Sequence, residues 1–396
     1  MSRVDRLDLH VFVLIDAFGW EIAQRLGFLS DALPHRAPLR TVLGYSSGAI
    51  PTMLTGKSPA EHGHWNLFYY DPEGSPFRWL RGLHFLPDRV LGHRVVRKAV
   101  KEVGRRALGL GPLFDCAVSP RVLPWLNWVE KRNIYQPHGI RGVASIFDRL
   151  AVAGVPHRAY SYHDGTDAEI LSRARHDIEA GRATLFFVYL SEIDAFLHRH
   201  VEDDAPLKEK FSIYETGLRE LLATALRRDP RAGLTLFSDH GMTPVRRHYD
   251  LARDIETLGL RMPDDYLAVY DSTMARFWLF SERARALVVE RLASLTCGRV
   301  LTDKEQAELG IRFGDRRYGD LVFLLEPGWL VSSSNFNAPG WQPRGMHGYH
   351  PDDPSSDAIF LSNQAPPRPM RTIADAYACM AHAAGLLPDI AEAPRR

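Results

Sequence analysis

Three short apolar runs, each followed by a polar turn, set the pattern of this sequence. They are His10–Ile15 (HVFVLI), Thr184–Leu190 (TLFFVYL) and Leu234–Ser238 (LTLFS), and none of them contains Asp, Glu, Lys or Arg. Continuous apolar runs of this length, rich in β-branched and aromatic residues, are typical of parallel strands that are buried on both faces. Each run is therefore predicted to be an interior strand of a sheet.

Helical patterns lie between and beyond these strands, at Trp20–Leu26, Ile140–Ala153 and Lys208–Arg227. The alanine-rich segment Thr372–Leu386 is predicted to be a closing helix. Strands that alternate with helices indicate an α/β protein. The predicted fold is a three-layer α/β/α sandwich with a mainly parallel central sheet.

Two segments interrupt this alternation. Residues 73–133, which we call the basic insertion, contain nine Arg and three Lys against three Glu and two Asp, and they also contain several tryptophans. Residues 250–333 are predicted to form a smaller lobe. The remaining segments, 1–72, 134–249 and 334–396, are predicted to form the core.

Composition narrows the possible functions. Forty-nine Lys and Arg balance 48 Asp and Glu, so the formal net charge is only +1. A protein that grips a nucleic-acid duplex through its phosphates usually has a stronger positive field, and no duplex partner is expected. The three cysteines, Cys116, Cys297 and Cys379, are far apart, which argues against a disulfide framework and against a thiolate zinc site.

No targeting or membrane-spanning segment is expected. Met1–Leu9 carries charges of both signs, and Asp16 interrupts the apolar run that follows. This pattern differs from a signal peptide, and a membrane helix would need about 20 apolar residues in a row. We therefore expect a cytoplasmic protein, with any membrane contact being peripheral.

Carboxylates and imidazoles gather at the strand ends and in one glycine-flanked loop. In parallel sheets, ligands bind beyond the carboxyl ends of the strands, so we expect these groups to converge. Singly, each could be a helix cap or a surface pair. Three Asp and three His are enough for two metal ions with three protein ligands each. The six residues are Asp16, Asp194, His198, Asp239, His240 and His347.

A hydroxyl group that could act as a nucleophile follows the first strand and helix. The segment Gly44–Pro51 contains Ser46 and Ser47 directly before a helix-like stretch. A serine bound to a metal ion needs no histidine base, because coordination lowers the pKa of its hydroxyl. Ser46 is the preferred nucleophile and Ser47 is its rival. The alternative is that either serine simply caps the helix.

The order of these motifs resembles the alkaline phosphatase superfamily, and most closely its type I phosphodiesterase/nucleotide pyrophosphatase group. The motifs that carry the resemblance occur in the family's order between residues 10 and 363. They are LIDAFGW, YSSGAIPTMLTGKSPAEHGHWN, YLSEIDAFLHRH, FSDHGM and MHGYHPDDPSSDAIFLS. The resemblance implies an alkaline-phosphatase-like fold in which the basic insertion and the smaller lobe are added lid or cap segments.

The resemblance also implies a reaction. Ser46 falls at the position of the family nucleophile and would pass through a phosphoseryl intermediate that water hydrolyses. Two divalent ions, most often zinc, would assist. The first would be held by Asp16, Asp239 and His240 together with Ser46. The second would be held by Asp194, His198 and His347.

Asn66 approximates the family asparagine whose amide donates to a phosphoryl oxygen. A neutral donor favours a phosphodiester, which carries less negative charge than a monoester. The expected substrate is therefore a small-molecule or lipid-linked phosphodiester. Leu197 stands where many members have glycine, and Ser47-Gly48-Ala49 replaces their usual run after the nucleophile. Because of these departures, the sequence does not identify the chemical groups that flank the phosphate in the substrate.

Two other functions are compatible with the sequence. A phosphomonoesterase or phosphoryl transferase of the same superfamily would need a cationic clamp, which Lys57 or an arginine of the basic insertion could supply. The chain could instead be a docking module with an inactive core. In that case the amphipathic pattern of Val90–Val103 would bind an anionic membrane or a partner. The sequence does not indicate an oligomeric state.

Overall fold

The computed structural model describes residues 7–83, 118–332, 334–336 and 341–386, with the isolated positions 93, 95–96, 98–99 and 102–103. Half of the positions of Val90–Val103 lie outside the described residues, so the docking hypothesis stays a prediction. Within the described residues, no helix combines the length and the apolar character that crossing a bilayer requires.

The described strands, numbered in chain order, have the following bounds. They are β1 His10–Ile15, β2 His35–Leu39, β3 Phe68–Tyr70, β4 Leu126–Trp128, β5 His157–Tyr160, β6 Leu185–Leu190, β7 Gly233–Phe237, β8 Thr243–Pro244, β9 Arg247–Tyr249, β10 Tyr266–Asp271, β11 Met274–Leu279, β12 Gly298–Val300, β13 Leu321–Leu325, β14 Trp329–Val331, β15 Gly345–Met346 and β16 Ala358–Ser362.

The described α-helices are numbered in the same way. They are α1 Trp20–Leu26, α2 Ser46–Thr55, α3 Pro59–His62, α4 Ile146–Val152, α5 Asp167–Glu179, α6 Glu192–His200, α7 Asp204–Arg228, α8 Leu251–Glu256, α9 Glu282–Ala293, α10 Asp303–Glu308 and α11 Asp375–Ala383. Short 3₁₀ turns occur at Arg78–Leu83, Leu123–Trp125 and Pro354–Ser356.

The chain forms two compact units. The first comprises residues 1–63, 132–244 and 351–396, and the second comprises 64–131 and 245–350.

A six-stranded sheet in the order β2-β16-β7-β1-β6-β5 organises the first unit. The central strand β1 pairs in parallel with β6 on one side and with β7 on the other. Strand β16 runs antiparallel to both of its neighbours, β7 and β2. The predicted mainly parallel sheet is thus confirmed, with one antiparallel strand inserted. The register places the carboxyl ends of β1, β6 and β7 at one edge.

Helices cover both faces of this sheet because its interior strands are apolar on both faces. Along β1, Val11, Val13 and Ile15 face a cluster formed with α1, α5, α6 and α7. Phe12 and Leu14 face a second cluster formed with α2, α4 and α11. The predicted three-layer α/β/α sandwich is therefore confirmed.

The second unit is built on an antiparallel sheet in the order β10-β11-β13-β12. One apolar cluster joins Phe77 and Leu80 of the basic insertion to Leu267 and Trp278 of the predicted smaller lobe. These two segments therefore share a hydrophobic core. Their description as separate domains stays a prediction.

A fully buried ion pair lies in the second unit. Arg276 donates from Nε to Asp271 Oδ2 at 2.6 Å and from Nη2 to Oδ1 at 3.1 Å. Its Nη1 donates to the Phe68 carbonyl oxygen at 2.8 Å. Because the charge is paired and its donors have acceptors, burial of this arginine is tolerated.

Candidate active site

The ends of β1 and β7 bring two carboxylates and an imidazole together. Asp16 follows β1, and Asp239 and His240 follow β7 after a single serine. One ligand atom from each residue lies within 4.8 Å of the corresponding atoms of the other two, and all three residues are buried. Parallel pairing of β1 with β7 produces this arrangement, since both strands end at the same edge.

Backbone N–H groups fix one side of Asp239. Its Oδ1 accepts hydrogen bonds from Ala17 N and His240 N, both at 3.1 Å. Ala17 has a φ of 60°, a left-handed conformation that is unusual for alanine and that turns the chain after β1. Among the described residues, Asp239 Oδ2 accepts no hydrogen bond although it is buried. An oxygen in this state is available to a cation.

The ring of His240 is oriented by its own backbone. Its Nδ1 lies 3.0 Å from the Gly241 carbonyl oxygen, which can only accept, so Nδ1 carries the proton in this bond. The other ring nitrogen, Nε2, lies 3.2 Å from Asp239 Oδ2 and 3.7 Å from Asp16 Oδ1 and, in the neutral ring, would carry the lone pair. Gly241 is required because a Cβ there would lie 2.1 Å from the Ser355 carbonyl oxygen.

Asp16 lies between the other groups. Tyr189, the penultimate residue of β6, donates a hydrogen bond from its hydroxyl to Asp16 Oδ2. Burial raises the pKa of Asp16 well above its usual value, and the nearby carboxylates of Asp239 and Asp194 raise it further. The carboxylate is therefore costly to ionise unless a positive charge joins the cluster.

Ser46 is the first residue of α2, and its side chain is half-buried. Its Oγ lies 3.1 Å from His240 Nε2 and 3.4 Å from Asp16 Oδ1, so the hydroxyl proton has two acceptors within reach. Gly44 enters the turn with a φ of 129°, which glycine adopts easily, and Tyr45 is extended before the helix begins. The turn thus places Ser46 at the positive end of the helix dipole.

Asp194 and His198 occupy one face of α6, the helix that follows β6. His198 Nε2 lies 3.3 Å from Asp194 Oδ1, as the predicted i,i+4 spacing requires. His198 is buried, and Asp194 is close enough to raise the pKa of Asp16. The first unit therefore brings together five of the predicted ligands and Ser46 at one edge of its sheet.

Two predicted site residues, Asn66 and His347, belong to the second unit, and their part in the site stays a prediction. Asn66 is fully buried, and its Nδ2 lies 3.6 Å from the Met274 sulfur, a weak acceptor. Among the described residues, Asn66 Oδ1 accepts no hydrogen bond. His347 is buried, and Thr273 Oγ1 donates to its carbonyl oxygen at 3.2 Å.

Sequence reasoning missed Tyr189. Its signal was weak, because a tyrosine inside the apolar run TLFFVYL is typical of core packing. The one feature that distinguishes Tyr189 from a core tyrosine is its position one residue before the end of β6. That position brings its hydroxyl to the edge of the sheet where Asp16 lies.

The donor set of the first cluster fits a divalent cation. Two carboxylates and a neutral imidazole are ligands that zinc and related ions prefer. The raised pKa of Asp16 is a sign of crowded negative charge, and Asp239 Oδ2 accepts no hydrogen bond within the described residues. A bound cation would compensate this charge.

Comparison with known proteins points to one family. The family model described as type I phosphodiesterase/nucleotide pyrophosphatase matches residues 11–350. No curated protein sequence gives a significant match.

Three solved structures are similar along nearly the whole chain, each covering 96% of this chain and 96% of its own. Murine ectonucleotide pyrophosphatase/phosphodiesterase 5 has a TM-score of 0.67 and 16% identity, and the human protein has 0.68 and 14%. An inactive variant of the murine protein, in complex with AMP, has 0.67 and 17%. At these identities the likeness establishes a shared fold.

Proposed function

The chain belongs to the type I phosphodiesterase/nucleotide pyrophosphatase family of the alkaline phosphatase superfamily, and we propose that it hydrolyses a phosphodiester with Ser46 as the nucleophile. The observation that carries this proposal is the position of Ser46 Oγ, 3.1 Å from His240 Nε2 and 3.4 Å from Asp16 Oδ1. A serine that only capped its helix would have no need of a buried cluster of two carboxylates and an imidazole.

The proposed metal ligands form two sets. Asp16, Asp239 and His240 would hold one divalent ion beside Ser46 Oγ. Asp194 and His198, with His347 of the second unit, would hold another. Zinc is the proposed metal because the ligands are imidazoles and carboxylates. When bound, such ions stabilise an ionised hydroxyl and offset the negative charge that develops on the phosphoryl group.

The proposed reaction has two displacements at phosphorus. In the first, Ser46 Oγ forms a bond to phosphorus and gives up its proton, the bond from phosphorus to one ester oxygen breaks, and that oxygen takes up a proton and leaves as an alcohol. In the second, a water molecule loses a proton and bonds to phosphorus, the bond from phosphorus to Ser46 Oγ breaks, and Oγ takes up a proton. The N-terminus of α2 favours negative charge at Ser46 through both steps.

A phosphodiester suits this site better than a monoester. Lys57, the candidate clamp for a monoester dianion, follows the far end of α2, a helix about 15 Å long that begins at Ser46. Its ammonium group lies 3.6 Å from Glu61 Oε1 and is thus engaged elsewhere. The neutral amide of Asn66 is the proposed donor to a non-bridging phosphoryl oxygen. The AMP complex of the murine relative supports a nucleotide-type diester as the substrate to test first.

The decisive experiment compares Ser46→Ala with Ser47→Ala. Zinc content and turnover of an aryl phosphodiester and its monoester would be measured on both variants and on the native protein. Ser46→Ala is expected to keep its zinc and to lose turnover on the order of a thousandfold or more, as expected for a removed nucleophile. Ser47→Ala is expected to stay active. An active Ser46→Ala, or a native protein without zinc or diesterase activity, would refute the proposal.

A further inference from the structure

The start of helix α6 is held by a residue of another helix. Ser191, which precedes α6, makes no capping hydrogen bond with its own side chain. Asp167, the first residue of α5, takes that role instead. Its Oδ1 accepts from Ser191 N at 2.9 Å, and its Oδ2 accepts from Glu192 N at 3.1 Å. The backbone N–H groups of the residue that precedes α6 and of its first residue therefore donate to one buried carboxylate.

Tyr214 of α7 fixes that carboxylate from the other side. Its hydroxyl donates to Asp167 Oδ2 at 2.5 Å, and both residues are buried. Glu192 completes the connection, because its Oε1 accepts from Asp167 N at 3.2 Å. The starts of α5 and α6 are thus bonded to each other, and Tyr214 anchors the pair to α7.

Helix α6 carries Asp194 two residues after Glu192, and His198 one turn further on. Ile193 and Leu197 of the same helix are fully buried in the core, which sets how the helix faces the sheet. The hydrogen bonds to Asp167 add a fixed point at the start of the helix to this packing. A metal site needs its donor atoms held within about 0.5 Å of the productive geometry.

We propose that Asp167 and Tyr214 are positioning residues for the Asp194–His198 ligand pair, acting through the start of α6. This inference rests on the proposed function, since it assumes that the pair binds a metal ion. Neither residue lies in a motif that the sequence analysis assigned to the site.

The test uses Tyr214→Phe and a matched control, Tyr160→Phe. Tyr160 also donates a 2.5 Å hydrogen bond to a buried aspartate, Asp177 Oδ2, but Asp177 lies near the other end of α5. Each variant removes a tyrosine hydroxyl that donates to a buried aspartate of α5. Of these two aspartates, Asp167 is the one that bonds to the start of α6. Zinc affinity would be measured on the full chain by competition with a chelator.

Tyr214→Phe is expected to weaken one of two zinc sites by about 10–100-fold and to leave the other unchanged. Its diesterase activity should fall at limiting zinc and recover when zinc is added. Tyr160→Phe should bind zinc as the native protein does. Asp167→Asn should resemble Tyr214→Phe if it folds, and if it does not fold, Tyr214→Phe decides the question.

Three outcomes would refute this inference, and two of them leave the proposed function standing. If the native protein binds two zinc ions and Tyr214→Phe binds them with native affinities, the positioning role is refuted and the proposed function stands. If the native protein binds no zinc, both are refuted. A loss of zinc affinity in Tyr160→Phe equal to that in Tyr214→Phe would also refute the positioning role, because the effect would then be general destabilisation.

Discussion

Tyr189 lies on β6 and Asp16 directly follows the neighbouring strand β1, and the hydroxyl of Tyr189 donates a hydrogen bond to Asp16 Oδ2. The register pairs Leu14 with Tyr189, so the tyrosine lies just before the edge where Asp16 begins the turn. With Oδ2 engaged, Oδ1 is the oxygen nearest to Ser46. The tyrosine thus fixes the orientation of a carboxylate that the proposed reaction needs.

The first prediction concerns this bond. Tyr189→Phe removes the donor and allows the Asp16 carboxylate to rotate. We expect kcat/KM for a phosphodiester to fall about 10–100-fold, together with zinc affinity. The measurement is steady-state kinetics with a zinc titration. Tyr249→Phe is the control, since Tyr249 donates to Asp254 at 2.7 Å within the second unit. Native kinetics in Tyr189→Phe would contradict the prediction.

The second prediction concerns the stability of the metal-free protein. Burial and neighbouring carboxylates raise the folded pKa of Asp16. Between the usual carboxyl pKa and this raised value, the folded protein holds a proton that the unfolded chain has released. Stability without metal must therefore fall as pH rises across that interval. Asp16→Asn removes the charge and should raise the Tm of the chelated protein at pH 7 by about 2–5 °C.

The same variant should lose diesterase activity, because a proposed ligand is gone. Differential scanning calorimetry with excess chelator is the measurement. Asp31→Asn serves as the control, since Asp31 is exposed and pairs with Arg219 on the surface. A lower Tm for chelated Asp16→Asn would show that the carboxylate stabilises the metal-free fold.

The third prediction separates activity from stability at Asn66. Its amide is buried beside the Met274 sulfur, and its Oδ1 accepts no hydrogen bond among the described residues. Asn66→Leu should therefore keep or raise the Tm, because no strong hydrogen bond is lost. Diesterase kcat should fall about 100-fold or more if the amide donates to the phosphoryl group.

Asn127 provides the matched control. It is equally buried, but its amide donates to Asp71 Oδ2 at 2.6 Å and to the Gly74 carbonyl oxygen at 2.9 Å, and its Oδ1 accepts from Trp128 N at 2.8 Å. Asn127→Leu should lower the Tm and leave the activity of the folded protein unchanged. Equal effects of the two variants on kcat would remove the assigned role of Asn66.

The fourth prediction concerns acid stability. Burial lowers the pKa of His10 to about 4, with a smaller contribution from His382. Between about pH 6.5 and 4 the unfolded chain binds a proton at this ring that the folded protein excludes, so stability falls as pH drops. The full interval corresponds to about 3 kcal/mol.

His10→Gln should flatten this dependence. Glutamine does not titrate and can still hydrogen-bond to Thr235 Oγ1, which lies 3.0 Å from His10 Nε2. Urea unfolding midpoints at pH 7, 6 and 5 are the measurement. Midpoints of the native and variant proteins that fall in parallel with pH would contradict the prediction.

The interior strands could be predicted from sequence because their signal is local. Strand β1 has the predicted bounds, β6 begins one residue later than predicted, and β7 begins and ends one residue earlier than predicted. Strand β2 was missed because HRAPL is polar, carries Pro38 and lies at the sheet edge. Its partner β16 is more than 300 residues away, and no local pattern shows that pairing.

Element boundaries depended on capping. Helix α4 begins at Ile146 rather than at the predicted Ile140 because Ser145 and Asp148 form a capping box there. That signal was present in the sequence. The convergence of Asp16, Asp239 and His240 followed from the strand-end rule, whereas Tyr189 and Asp167 resembled ordinary core and helix-start residues.

The central place of β1 has a consequence for biosynthesis. This strand precedes both of its partners in the chain, and the second partner, β7, ends only at Phe237. In an emerging polypeptide, the apolar strand HVFVLI therefore lacks one of its two pairing partners until β7 has been synthesised. Chaperone dependence during expression, and aggregation of fragments that end before β7, are the expected outcomes.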